Sequence, residues 1–351
     1  MNEQGINDAP PITVAVDAMG GDKAPLAVIE GAISAAKALP EVSIILVGDE
    51  TVISPLLQIQ GVIPANISIH HASQQVDMCE APADAIRQKR DSSIAVGMRL
   101  VRDGKAQAII SAGNSGAMMA GGMLILKAQQ GIDRPAIATL MPTKKGRCIL
   151  LDAGATTDCK PYNLMQFAHL GDNYARAVLQ ETSPRIGLVS IGEEAAKGDE
   201  LTKETHQLLA ADNTLNFIGN VEPKEMFRGE VDVLVCDGFV GNLILKTGEG
   251  ISEYLLSLLK REFTTSWLTK LAAYILKPAF KRAMKVVDYA EVGGALLLGV
   301  NGVVIIGHGR SNSLAIENAI RLGAEAAVKY AVQAKKAKVM LDVMESSGRK
   351  A

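Results

Sequence analysis

The sequence predicts an α/β protein with a mostly parallel sheet sandwiched by helices, a three-layer α/β/α architecture. Three observations point there. Short apolar runs alternate with amphipathic segments along most of the 351 residues. Most of these runs end in a turn that combines glycine with Asp, Asn, Ser or Lys. The composition, 48% hydrophobic and 21% charged, belongs to a globular chain. A chain of this length buries a large core, in one big domain or two lobes.

Ile12-Thr13-Val14-Ala15-Val16 reads as the first buried strand, ending in Asp17-Ala18-Met19-Gly20-Gly21-Asp22. Asp22 is read as a helix cap, with Pro25 in the first turn and Leu26, Ile29 and Ile33 as the inward stripe. Residues 42–47 and 67–71 read as strands flanking a helix that ends near Gln60. Residues 82–90 and 92–102 read as two helices separated at Ser92-Ser93. Residues 106–110 form a strand that leads into Ser111-Ala112-Gly113-Asn114-Ser115-Gly116, where Asn114 or Ser115 caps a helix of small and apolar residues.

Residues 136–140 and 148–151 read as paired strands with a hairpin at Pro142-Thr143-Lys144-Lys145-Gly146. Asp152-Ala153-Gly154-Ala155 ends the second strand, and residues 162–179 are helical. Strand 185–190 runs into a loop containing Lys197, after which Asp199 caps helix 200–210. Strand 231–236 ends in Asp237-Gly238-Phe239-Val240-Gly241-Asn242, with a helix from Leu243. The last strand, 303–306, meets Gly307-His308-Gly309-Arg310-Ser311-Asn312 and a long terminal helix. Residues 1–11 read as a flexible tail, 12–335 as a single catalytic domain, and 336–351 as a polar tail.

Several function classes are disfavoured. Net charge −2 and 4% aromatic residues argue against nucleic acid. The four cysteines lack CxxC spacing, which argues against zinc or a disulfide framework and fits a reducing cytosol. No signal peptide or apolar run of spanning length is present, so a cytoplasmic location is expected. GxxxxGK[ST], HExxH and GxSxG are absent, and Asn312 stands where a dinucleotide fingerprint needs its third glycine.

What remains are anion-friendly turns at strand ends, where open parallel sheets place ligands. Glycines at a helix N-terminus let backbone N–H groups close on phosphate or carboxylate. The competing reading of Ser111 to Gly116 is a tight strand-to-helix connection. Such turns, with Lys197, Asn242, Lys246, Asp237, Asp17, Asp22 and Arg310, suit inorganic phosphate or a phosphorylated ligand. If phosphate is itself the nucleophile, no covalent enzyme nucleophile is needed; no cofactor is expected, and no carboxylate cluster requires a metal.

Six motifs in order carry a resemblance. They are Val14-Ala15-Val16-Asp17-Ala18-Met19-Gly20-Gly21-Asp22 with Ala24-Pro25, then Ser111-Ala112-Gly113-Asn114-Ser115-Gly116-Ala117, then Gly131-Ile132-Asp133-Arg134-Pro135-Ala136. Lys197-Gly198-Asp199-Glu200-Leu201-Thr202, Asn216-Phe217-Ile218-Gly219-Asn220 and Asp237-Gly238-Phe239-Val240-Gly241-Asn242 complete the set. From about Ile12 to about Lys335 the chain resembles the bacterial phosphate acyltransferase family. The resemblance implies a phosphotransacetylase- or isocitrate-dehydrogenase-like fold and a homodimer. It also implies conversion of acyl-[acyl carrier protein] and inorganic phosphate to acyl phosphate, the first step toward phosphatidic acid. Where the family usually carries Asn in its Asp-x-Gly-Ala-Asn turn, this chain has Thr156.

Lys197 and Asn242 match the family's residues near the reacting centre and are the expected catalytic pair; Asn242 could equally cap a helix. Ser111, Gly113, Asn114, Ser115, Gly116, Asp17, Gly20, Gly21, Asp237 and Gly238 are the expected phosphate and substrate contacts, Asp17 more as an orienting group than a base. Cys236 is read as packed and inert. In residues 253–288, Trp267, Leu271, Tyr274 and Ile275 share a helical face flanked by Lys270, Lys277, Lys281, Arg282 and Lys285, and Pro278 marks a break between two helices. Such a protruding segment fits a peripheral membrane surface, near the downstream glycerol-3-phosphate acyltransferase, or packing in a dimer or core. Its basic flank also suits the acidic carrier protein. The rival readings are a phosphotransacetylase acting on acyl-coenzyme A and a non-catalytic membrane scaffold.

Overall fold

A computed structural model describes residues 12–287 and 289–348. The expected amino-terminal tail, residues 1–11, lies outside the described residues, as do 349–351 of the expected carboxyl-terminal tail.

The chain runs β1 (Thr13–Asp17), α1 (Leu26–Ala38), β2 (Ser43–Gly48), α2 (Glu50–Ile59), β3 (Ile67–His71), α3 (Pro82–Gln88), α4 (Ser93–Arg102), β4 (Ala108–Ser111) and α5 (Ser115–Gly121). A π-helical turn, Gly122–Leu126, extends α5. Then follow β5 (Ala136–Thr143), β6 (Gly146–Leu151), α6 (Pro161–Val178), β7 (Arg185–Val189), α7 (Glu200–Ala211), β8 (Asn216–Val221), a 3-10 turn (Pro223–Arg228) and β9 (Val233–Val235). The chain continues through α8 (Gly238–Phe263), α9 (Trp267–Val287), α10 (Tyr289–Val292), β10 (Ala295–Leu298), β11 (Val303–Ile306) and α11 (Ser313–Gly348).

Where the sequence draws one domain over residues 12–335, the chain divides into two compact units, Gln130–Glu291 and the residues on either side of it. In the outer unit the strand order is β3-β2-β1-β4-β11-β10. All pairs there are parallel except β10 with β11. Strands β1, β4 and β11 are nearly all buried Val, Ala and Ile, as a sheet covered on both faces requires. Helix α1 packs against α11. The closeness depends on Gly31, because a Cβ there would lie 2.6 Å from Cβ of Ile316.

In the inner unit the order is β5-β6-β9-β7-β8. The β5–β6 hairpin is antiparallel and the other pairs are parallel. Phe167 of α6 is fully buried in this unit.

Several local expectations are corrected. Asp22 does not cap α1: the cap is Pro25, with no side-chain bond, and Leu26 is 46% exposed while Val28, Ile29, Ala32 and Ile33 face inward. The hairpin is tighter than expected, since Pro142 stays in β5 opposite Arg147. Helix α8 starts at Gly238 rather than Leu243, because the Asp237 carboxylate accepts from the backbone N–H of Phe239 (2.9 Å) and Val240 (3.0 Å). Asn242 therefore sits inside the helix and is not its cap. The break expected at Pro278 is absent, and α9 passes through it. The chain breaks instead just before Trp267, where Ser266 and Thr269 bond reciprocally.

An ion pair fastens β7 to β9. The Asp232 carboxylate accepts from Arg185 Nε (2.9 Å), Nη2 (2.7 Å) and backbone N–H (2.8 Å). Burial pushes this carboxyl up, but the Arg185 hydrogen bonds outweigh it and hold it below the usual carboxylate range. A depressed carboxylate contributes stability that is present above its unfolded pKa and lost as pH falls through the folded one. Asp232→Asn is expected to cost ~1–2 kcal/mol of unfolding free energy at pH 7. The cost should shrink once pH drops below about 4, measured by urea unfolding across pH.

Candidate active site

Each unit carries its own cluster of turns. In the outer unit β1, β4 and β11 are parallel neighbours, so their carboxyl-end turns emerge at one sheet edge. Asp17, which ends β1, is 2% exposed, and Ser111, which ends β4, donates its hydroxyl to Asp17 Oδ2 at 2.6 Å. Burial pushes the Asp17 carboxyl up, opposed by bonds from Ser111, Ser93 and the Met19 and Gly20 backbone. Ser111 Oγ in turn accepts the Gly113 N–H at 3.0 Å. Gly20 packs on this pair: a Cβ there would meet Asp17 Oδ2 and lie 2.8 Å from both Gly113 N and Ser111 Oγ. Gly21, at φ +111°, lies against Ala112 and the Gly309 carbonyl, which accepts the Asp22 N–H at 2.8 Å.

Asn114 caps α5, accepting the Ala117 N–H at 3.0 Å. Its amide donates to the carbonyls of Asp77, Met78 and Glu80 at 3.0–3.3 Å, which clamps that loop. Ser111, Gly113 and Asn114 are thus buried and internally bonded. Ser115 is exposed and Gly116 half-buried in the first turn of α5, where backbone N–H groups lack helical acceptors.

In the inner unit β6, β9 and β7 are parallel neighbours, so the turns following them also share one edge. Asp152, which follows β6, is fully buried and is a group that sequence reading missed as important. Its carboxylate accepts four backbone N–H groups: Ile137 (2.8 Å), Gly154 (3.0 Å), Ala155 (2.9 Å) and Thr156 (2.6 Å). Burial pushes this carboxyl up, and those four bonds pull it back. The only sequence signal is an Asp between a strand and a glycine turn. Thr156 donates its hydroxyl to the Pro135 carbonyl at 3.1 Å, so the residue that departs from the family pattern is committed to backbone.

The β9 turn packs directly onto the β6 turn. The Gly238 N–H donates to the Thr156 carbonyl at 2.7 Å, and a Cβ on Gly241 would collide with the Asp152 carbonyl. Asn242, exposed, lies over Gly154, whose φ is +137°. On the next strand, the turn after β7 carries Lys197, also exposed. Its stem crosses Gly192, and none of the ion pairs among the described residues includes its ammonium. Lys246, by contrast, pairs with Glu249 at 2.8 Å.

Cys236 is buried, and burial together with the neighbouring Asp237 and Asp152 carboxylates pushes its thiol well above the ordinary value. Cys159 is pushed up to about 12, again chiefly by burial. Neither is poised as a thiolate nucleophile. Among the described residues, no cluster of three His, Cys, Asp or Glu side chains could hold a metal ion. No helix among them is long and apolar enough to cross a membrane.

A family model described as "Fatty acid synthesis protein" matches residues 12–335. The chain is 50% identical over 312 residues to the phosphate acyltransferase of Pelobacter propionicus, spanning 89% of this chain and 90% of that one. It is 51% identical over 312 residues to the phosphate acyltransferase of Geobacter sulfurreducens, with the same coverage. Among solved structures it is similar to a phosphotransacetylase from Streptococcus pyogenes, with TM-score 0.59, 17% identity, and coverage of 91% of this chain and 94% of that one. The EutD phosphotransacetylase from Staphylococcus aureus gives TM-score 0.55 at 16% identity, covering 90% and 94%. At such identities the structural likeness concerns the fold.

Proposed function

This chain belongs to the bacterial phosphate acyltransferase family, and on that premise we propose that it converts long-chain acyl-[acyl carrier protein] and inorganic phosphate to acyl phosphate and free carrier protein. A phosphate oxygen attacks the thioester carbon, a tetrahedral oxyanion forms, and its collapse breaks the C–S bond. The proton of the monohydrogen phosphate ends on the departing thiolate, so no external acid is consumed. Lys197 and Asn242 stabilise the oxyanion.

The observation that carries this reading is the Lys197 ammonium, outside every ion pair among the described residues and on the loop that follows β7, the strand beside β9, whose own turn leads to Asn242. The buried, raised Cys236 thiol supports direct attack over an acyl-enzyme. The test compares thiol release from carrier-bound and coenzyme A-bound palmitoyl groups with phosphate supplied. The reading requires release from the carrier thioester. Turnover confined to the coenzyme A thioester would point to the phosphotransacetylase alternative.

The exposed residues of α8 and α9 support a second reading: a homodimer that sits peripherally on the inner membrane surface, within reach of a downstream glycerol-3-phosphate acyltransferase. Trp267 is 73% exposed, Tyr274 75% and Ile275 68%, and Leu268 and Leu271 are also exposed. A helix with so many unburied large apolar groups calls for a cover. Leu271→Glu with Ile275→Glu is expected to reduce co-sedimentation with anionic vesicles about tenfold or more and to leave turnover of soluble substrate unchanged. Undiminished sedimentation would remove α9 from the contact.

A further inference from the structure

We infer that Asn220 is the positioning residue for Lys197, and this inference rests on the catalytic role proposed for that lysine. Residues 191–198 connect β7 to α7 as an exposed irregular loop. Within it, the Lys197 N–H closes a turn on the Glu194 carbonyl at 2.9 Å. Among the described residues, one further hydrogen bond reaches this stretch. The Asn220 amide Nδ2 donates to the same Glu194 carbonyl at 2.9 Å. A single acceptor thus joins the lysine's own N–H to a side chain on the neighbouring strand β8.

Asn220 is built to hold still. It is 5% exposed near the end of β8, and its Oδ1 lies 3.0 Å from Nδ1 of His206 on α7. Because Nδ2 faces a carbonyl, Oδ1 faces the ring, so Nδ1 of His206 carries the proton and donates. The His206 ring is itself held edge-on against Phe217, with centroids 5.2 Å apart. Both ends of the amide are therefore occupied, and the Glu194 carbonyl, which can only accept, selects the orientation that presents N–H to the loop. A flexible lysine cannot orient an oxyanion unless its backbone is held, and small misplacements of catalytic groups cost up to about 10² in rate. The contacts of the Asn216-Phe217-Ile218-Gly219-Asn220 motif assign it a supporting role. Phe217 packs against His206, His206 bonds Asn220, and Asn220 anchors the turn that carries Lys197.

The test uses the full chain and steady-state kinetics of acyl phosphate formation. Asn220→Ala is expected to lower kcat about tenfold or more, with KM for phosphate little changed and the thermal midpoint nearly that of wild type. Asn220→Asp keeps the acceptor for His206 but loses the donor to Glu194, so it should show the same kcat loss. His206→Ala, a change one contact further from the loop, should lose less. Each loss should largely vanish in a Lys197→Ala background, since the anchor acts through the lysine. If Lys197→Ala is crippled while Asn220→Ala and Asn220→Asp turn over normally, the anchoring role is wrong and the lysine's role stands. Losses that simply multiply, or that track unfolding, overturn the anchoring role in the same way. If Lys197→Ala is itself near wild type, the catalytic assignment fails and the anchor goes with it.

Discussion

Lys197→Ala is expected to lower kcat for acyl phosphate formation about 10²-fold or more, with KM for the acyl carrier changed far less and the fold intact. The expectation follows from exposure and pairing together. Most surface lysines are solvated and dispensable, but this one sits in the loop after β7, on a turn that a buried side chain anchors. None of the ion pairs among the described residues neutralises it. A fixed cation of this kind is worth most when charge appears on the substrate during reaction and little before, so the loss belongs in kcat. Asn242→Ala should behave alike: its side chain is exposed over Gly154, and Asp237 provides the helix cap. Steady-state kinetics with circular dichroism as a folding control decides both. Near wild-type turnover in either variant removes that residue from the mechanism.

Asp152→Ala is expected to have the largest effect on stability. The carboxylate is 0% exposed and satisfies four backbone N–H groups that have no other acceptor in the turn. An unsatisfied buried donor costs roughly 1–3 kcal/mol. Even with partial rescue by water, the summed loss should reach about 3 kcal/mol or more, against a typical total near 5–15 kcal/mol. Asp152→Asn should lose comparably, because its amide NH2 would face N–H donors wherever it points. The checks are the urea midpoint and slope: a lower midpoint at unchanged slope is expected. A shift below about 1 kcal/mol would mean that the turn does not depend on this acceptor. The floor under Gly238 and Asn242 is the same turn, so activity should fall with it.

The legible parts of the fold were those whose burial is written in residue type. Val14, Ala15 and Val16 or Val303 to Ile306 cannot sit anywhere but a covered strand, and the glycine turns after them mark where parallel strands stop. Strand β8 escaped because it lies at an edge, with Asn at both Asn216 and Asn220 and a glycine between them. Strand β10, Ala-Leu-Leu-Leu, has no β-branched residue to distinguish it from helix. Pro278 misled because a proline inside a helix removes one backbone donor and can kink the helix without ending it, and α9 continues on either side of it.

The candidate site was legible as a set of turns and much less so as a set of contacts. Ser111, Asn114 and Asp237 stand at the expected positions, yet their side chains bond within the protein: Ser111 to the Asp17 carboxylate, Asn114 to carbonyls in residues 77–80, Asp237 to the start of α8. Asp, Asn and Ser serve turns and ligands with the same atoms, so sequence cannot separate the two uses. Asp152 and Asn220 were hidden for a related reason. Their importance lies in how many donors and acceptors converge on them in space, and those partners come from up to 26 positions away for Asn220 alone.

The most direct test of direct phosphate attack is a single-turnover experiment with enzyme in excess over palmitoyl-[acyl carrier protein], following free carrier thiol with and without inorganic phosphate. Direct attack gives no thiol release until phosphate is added, and then one acyl phosphate per thiol. A phosphate-independent burst of thiol, with the acyl group left on the protein, would contradict it.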